Sequence, residues 1–148
     1  MGNMVSEFLQ ELDVADDAHA ESPAASHLYV IDDSEVILDD KTSKHLHSSV
    51  AKALYMAKRG RPDILTAVSF LTTRVKSPNM GDYKKLKRLG SYLNGTKDLK
   101  LYLKANKPYT LYCYVDASYA LHDDGKGMTG NIVTLGKGAF KILSLIHI

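Results

Sequence analysis

Apolar residues recur at helical spacing along the first two thirds of the chain and at every second position near its end. Val5, Phe8, Leu9 and Leu12 predict a short amphipathic helix over Val5–Val14. Asp16–Ser26 is small and polar around Pro23 and reads as a loop, and Asp39–Lys44 reads as a polar linker. Leu46, Val50, Ala53, Leu54 and Ala57 form one stripe of a helix over 46–58. Gly60 stands where that helix stops and Pro62 where the next begins. Asp63 falls in the first turn of this next helix, where the dipole favours an acid. Its buried face is Ile64, Val68, Leu71 and Val75, and Ser77-Pro78 breaks it. A further helix runs from Asp82, its expected N-cap, to Asn94, with Tyr83, Leu86, Leu89 and Leu93 inward and Gly95 as stop.

After Gly95 the period changes to two. Leu99, Leu101 and Leu103 alternate as a strand. Beyond Pro108, Leu111, Cys113 and Val115 alternate with Tyr112, Tyr114 and Asp116, which predicts a strand with two distinct faces and Cys113 as a small core residue. Met128–Leu135 is a third strand and Ala139–Ile146 a fourth. A helical block followed by antiparallel strands places the chain in the α+β class. Asp116 ends an apolar strand, although aspartate is a poor strand former and is costly to bury unpaired. Two readings stand on these residues alone: a turn-initiating Asp before Ala-Ser, or a carboxylate serving metal or proton transfer at the sheet edge.

Composition changes this picture little. With 148 residues, 45% hydrophobic and 24% charged, the chain suits one globular domain or pieces of two. No apolar run approaches the ~20 residues that span a bilayer, so no membrane partner is expected. The N-terminal stretch has neither the basic nor the apolar region of a secretory signal. A single cysteine makes no intrachain disulfide, which points to a reducing, intracellular setting.

Charge changes it more. Residues 1–40 hold eleven Asp or Glu and no Lys or Arg, whereas residues 41–148 hold nineteen Lys or Arg against six acids. The outer face of the helix from Asp82 carries Lys84, Lys85, Lys87 and Arg88, in a body that also displays Lys58, Arg59 and Arg61. Either this is a basic surface for a polyanion, or the acidic arm folds back and neutralises it. Two other motifs carry less. His45-x-His47 has no cluster of further ligands at metal spacing and reads as helix-start histidines. Tyr29-Val30-Ile31-Asp32-Asp33 has one residue too many for a Tyr-x-Asp-Asp hairpin, which would turn its carboxylates to the other face; it reads as a solvated loop or edge strand.

Three blocks carry a family resemblance: SSVAKALYMAKRGRPDILTAVSFLTTRVKSP, then DYKKLKRLGSYLNGTKDLKLYL, then YVDASYALHDDGKGMTGNIVTLG. In order and spacing they resemble the copia-type retrotransposon Pol polyprotein, at the end of its reverse transcriptase region and the start of its ribonuclease H domain. The resemblance covers residues 45–138 and, more loosely, 4–44; Arg61-Pro62-Asp63-Ile64 and Tyr92-Leu93-Asn94-Gly95-Thr96 are its strongest marks. It implies three parts. Residues 1–44 are an acidic segment at the end of the palm and connection region, and 45–98 a helical thumb- and connection-like block. Residues 99–148 are the first antiparallel strands of an incomplete ribonuclease H-like sheet.

The resemblance also implies chemistry. The helices would follow a template–primer duplex or RNA–DNA hybrid, with Arg59, Arg61, Lys84, Lys85, Lys87 and Arg88 meeting phosphates, and the rest of the Pol polyprotein would be a partner. Asp116 would be the first metal-binding carboxylate of ribonuclease H, which tips the two readings of this residue towards the metal. Ribonuclease H cleaves the RNA of a hybrid with two Mg²⁺ ions, and one Asp cannot hold two ions. The family supplies a Glu on the next helix and later acids, but no acidic residue follows Asp124 here, and Asp123 and Asp124 fall in the expected turn. The run GKGMT and the tail KILSLIHI also depart from the family pattern. The expectation is a catalytically incomplete stretch that holds no Mg²⁺ stably by itself, placed by the family in cytoplasmic virus-like particles or the nucleus. The alternatives are one slice of an active hybrid nuclease and a domesticated protein-interaction module.

Overall fold

Side chains outside the apolar stripes set the helix boundaries. In the computed structural model, which describes residues 2–118 and 127–147, α1 spans Gly2–Glu11 and α2 spans Asp40–Arg59. A 3-10 turn, Pro62–Ile64, leads into α3, Leu65–Arg74, and α4 spans Met80–Gly95. The segment expected to be a polar linker is therefore the first turn of α2. Its N-cap is Asp39, whose carboxylate accepts the Thr42 N–H and hydroxyl, both at 2.9 Å. Those two bonds, the backbone one first, hold the Asp39 carboxyl below the usual range.

The cap of α4 also differs from expectation, because Asn79 rather than Asp82 occupies it. Asn79 Oδ1 accepts the Asp82 N–H at 3.0 Å, and Asp82 Oδ2 accepts the Asn79 N–H at 3.1 Å. This reciprocal pair satisfies two amides that the helix leaves open. Asp82 in turn takes the Arg74 guanidinium at 3.1 Å, and Asn79 Nδ2 donates to the Asp32 carbonyl at 2.9 Å. Asn79→Ala is expected to lower stability by about 1–2 kcal/mol, read from the urea midpoint. An unchanged midpoint would show that Asp82 alone can start the helix.

The apolar stripes meet in one helical core. Phe8, Leu12, Leu46, Met56, Ile64, Phe70, Leu71, Leu86, Leu89 and Leu93 are fully buried. Leu54, Val75 and Tyr83 are only partly covered at its rim. α3 is buried well beyond its expected single face, with Leu65, Ala67, Ser69 and Phe70 also inside. The reason is its place in the fold, since α2, α4 and the strand Ala139–His147 all contact it. At Gly90 the end of the α1 segment approaches α4 closely, and a Cβ there would lie 2.8 Å from Val14 Cγ2.

The strands are β1, Lys104–Ala105; β2, Tyr112–Ser118; β3, Gly127–Thr134; β4, Gly136–Lys137; and β5, Ala139–His147. They form an antiparallel sheet in the order β2-β3-β5 and a separate two-stranded pair of β1 with β4. The strand expected at Leu99–Leu103 is absent; residues 99–103 lack a ladder partner, and Leu99 and Leu103 are exposed. Between β4 and β5 the chain turns at Gly138, where φ is +69° and a Cβ would meet the Tyr102 carbonyl at 2.1 Å. The sheet gives the core little. Ile142 on β5 is its only member packed against the helical cluster among the described residues.

Candidate nucleic-acid interface

The basic residues of α4 face the acidic arm. Lys84 pairs with Glu35 at 2.7 Å, and Lys85 donates to the Val30 carbonyl at 2.7 Å while lying over the Phe70 ring. Lys87 donates to the Leu12 carbonyl and, at 3.0 Å, to that of Asp13. Arg88 reaches the Ser22 hydroxyl at 3.2 Å. One residue past Leu93, the Asn94 amide donates to the carbonyls of Asp16 and Ala18 at 2.9 and 2.8 Å. Residues 12–35 thus lie along this helix as a strap, held largely by main-chain carbonyls. The geometry matches the folding-back alternative for the charge split, although only one of the four basic side chains, Lys84, makes an ion pair there.

The strap includes the Tyr29–Asp33 motif, an irregular stretch between two turns. Val30, Asp32 and Asp33 are exposed, as a solvated loop requires, whereas Tyr29 and Ile31 are partly buried against the helical core. Leu28 is buried, Tyr29 meets Phe70 edge-on with ring centroids 5.7 Å apart, and burial pushes the Tyr29 hydroxyl up. Asp32 accepts the N–H and hydroxyl of Ser34, bonds that hold its carboxyl low.

Arg61 is an internal clasp. Its side chain is 3% exposed, Nε and Nη2 bond the Asp63 carboxylate, and Nη1 and Nη2 bond the carbonyl and hydroxyl of Thr96. The guanidinium lies 5.6 Å from the Tyr92 ring centroid, and the Tyr92 hydroxyl donates to Asp63 at 2.9 Å. Burial, and then this bond to Asp63, push the Tyr92 hydroxyl up. Tyr92, Asp63 and Thr96 were not legible as a unit in the sequence. The available signal was Arg-Pro-Asp at a helix start, where a short turn returns the carboxylate to the guanidinium. Arg59, by contrast, is exposed with Tyr55 beneath it at 5.6 Å, and Lys58 beside it is exposed.

Asp116 lies within β2 rather than at its end, because the ladder continues to Ser118 opposite Met128. It pairs with Gly130, which in turn pairs with Ser144 on β5. Gly130 leaves the space beside it open, since a Cβ there would meet only the Asp116 carbonyl, at 3.9 Å. β2 is an edge strand of the sheet, and Asp116 is exposed. Cys113 is exposed too, not a core residue as its alternation predicts; among the described residues no layer covers β2, so period two buries neither face. Asp123 and Asp124 fall outside the described residues.

Among the described residues no group of three or more His, Cys, Asp or Glu is placed to hold a metal ion. A lone exposed carboxylate does not fit a two-Mg²⁺ centre, which requires several oxygen ligands. His45 and His47 lie in α2, half-buried and exposed respectively.

No family model matches the chain, and no solved structure matches it. Three relatives do. The chain is 33% identical over 108 residues to a transposon Ty5-1 protein of Saccharomyces cerevisiae, covering 69% of this chain and 35% of that protein. It is 38% identical over 77 residues to a retrovirus-related Pol polyprotein from transposon RE2 of Arabidopsis thaliana, covering 51% of this chain and 5% of the polyprotein. It is also 32% identical over 72 residues to an uncharacterised mitochondrial protein of Arabidopsis thaliana, covering 49% of this chain and 30% of that protein. The chain therefore spans about a third or less of the length of each. The chain is thus similar in sequence to a transposon protein of a fungus and to a Pol polyprotein from a plant transposon.

Proposed function

We propose that the chain is the stretch of a copia-type Pol polyprotein in which reverse transcriptase passes into ribonuclease H. Its helical part would contact the backbone of a template–primer duplex or RNA–DNA hybrid. The observation that carries this reading is the order of elements: a helical core, then an antiparallel meander with Asp116 on its first long strand, in a chain similar in sequence to a Pol polyprotein. Lys58 and Arg59 are exposed and Lys84 is 65% exposed, which supports their meeting the duplex phosphates. Arg61, Lys85, Lys87 and Arg88 hold the fold together in this structure, so contact through them requires the strap to move.

Asp116 is the carboxylate this chain would bring to a ribonuclease H centre within a longer polyprotein. Its neighbours among the described residues do not complete the set of metal ligands, so no hydrolytic step is assigned to this chain.

The test is fluorescence anisotropy with a labelled RNA–DNA hybrid. Three phosphate contacts correspond to about a 40-fold loss of affinity between 50 and 200 mM salt. The double substitution Lys58→Glu, Arg59→Glu is expected to abolish measurable binding, and Asp116→Asn to leave it unchanged. In a longer Pol chain carrying the further acidic residues, Asp116→Asn should abolish metal-dependent cleavage. Binding that is absent, or indifferent to salt and to the double substitution, refutes the reading.

A further inference from the structure

Between the strap and α4 lies a cleft of about 500 Å³, within the size range of sites for small organic molecules. Leu28, Ile31, Ala67 and Leu71 give it apolar walls, and Lys84, Lys85 and Arg88 stand among the charged residues that line it. Three carboxylates also line it, and each is already engaged. Glu35 is paired with Lys84, Asp82 with Arg74 and the cap amide of Asn79, and Asp32 with both donors of Ser34.

Lys85 and Arg88 are left as the cations of the cleft outside any ion pair among the described residues. Lys85 has one carbonyl and an aromatic face as partners, and burial pulls its ammonium pKa down. Arg88 has a serine hydroxyl at one Nη, and its Nε is buried with no acceptor. A guanidinium has five donors, and those that the protein leaves without an acceptor raise its desolvation cost. The cleft therefore combines an apolar body site with two under-compensated cations at its wall.

We propose that this cleft binds a small organic oxyanion with an apolar body, an aryl or alkyl phosphate or carboxylate. Its charged head would lie between Lys85 and Arg88 and its body against Leu28, Ile31 and Leu71. The site lies under the strap, and the proposal does not depend on duplex contact by the helical block.

The experiment is an NMR titration of the full chain with phenyl phosphate, with benzoate, and with benzyl alcohol as the neutral control. Saturable shifts confined to residues around the cleft are expected, with half-saturation at about millimolar concentration for at least one anion. Which anion binds more tightly distinguishes a phosphate site from a carboxylate site. Arg88→Gln and Lys85→Met should each weaken binding about tenfold, as loss of a charge-assisted contact does. Lys76→Gln, at an exposed lysine outside the cleft lining, should change it less than about twofold. No saturable shift by about ten millimolar, benzyl alcohol binding as tightly as the anions, or full affinity in both Arg88→Gln and Lys85→Met overturns the proposal. Should one of these variants fail to fold, the other decides.

Discussion

Arg61→Ala is expected to destabilise the chain by about 3 kcal/mol, the lower end of the range for breaking a buried ion pair from one side. Three consequences combine. The Asp63 carboxylate, only 24% exposed, loses both nitrogens that neutralise it. The Thr96 carbonyl and hydroxyl lose the donors that tie the end of α4 to the start of the 3-10 turn. Tyr92 loses the planar cation against its ring while still donating to Asp63. The partial exposure of Asp63 lets water recover some of the loss, which keeps the value from the upper end of the range.

Arg61→Lys should recover little, because one ammonium cannot bridge a carboxylate and two Thr96 oxygens in a fixed plane. Asp63→Asn in the Arg61→Ala background should cost far less than in the native chain, since the two residues form one network. Urea unfolding of the four chains gives the comparison. A loss below about 1 kcal/mol for Arg61→Ala would mean that the clasp is ornamental, and Arg61 would return to the set available for phosphate contact.

Phe70→Ala should have the larger effect, about 4 kcal/mol, for a different reason. Phe70 is fully buried on α3, and truncating a buried phenylalanine removes its transfer energy and leaves a cavity that α2, α4 and β5 cannot all close upon. It also removes the surface against which the strap is held, since Tyr29 meets the ring edge-on and the Lys85 ammonium lies 4.5 Å from its centroid. Amide exchange should therefore quicken between residues 28 and 35 by more than the global destabilisation accounts for. Phe70→Leu, which keeps most of the volume, should cost less than about 1.5 kcal/mol and leave the strap protected. If Phe70→Ala loosens the whole chain evenly, the strap is held by Lys87 and Asn94 rather than from α3.

Much of the framework was legible from the order of residues. The stripes Val5-Phe8-Leu9-Leu12 and Leu86-Leu89-Leu93 emerged as buried faces because helical periodicity is a local property of the chain. The alternation around Tyr112–Ser118 and Ala139–His147 announced strands for the same reason. The starts of α2 and α4 were not legible, because a cap depends on which of several neighbouring polar residues turns its side chain back. Asp39 and Asn79 do so; Asp82 answers from the third position. Leu99, Leu101 and Leu103 alternate as well as any strand, but a strand needs a neighbour as much as a pattern, and the ladder begins only at Lys104.

The sequence by itself determined where apolar faces form, where helices stop, and that an acidic arm precedes a basic body. Only the tertiary structure decided what those charges do. Arg61 meets Thr96 across 35 residues, and Lys87 meets Leu12 across 75. Contacts over such separations exist only once the core has closed, so no local pattern records them. The same side chains read in isolation as a basic surface become, after folding, one clasp, the anchors of a strap and the wall of a cleft.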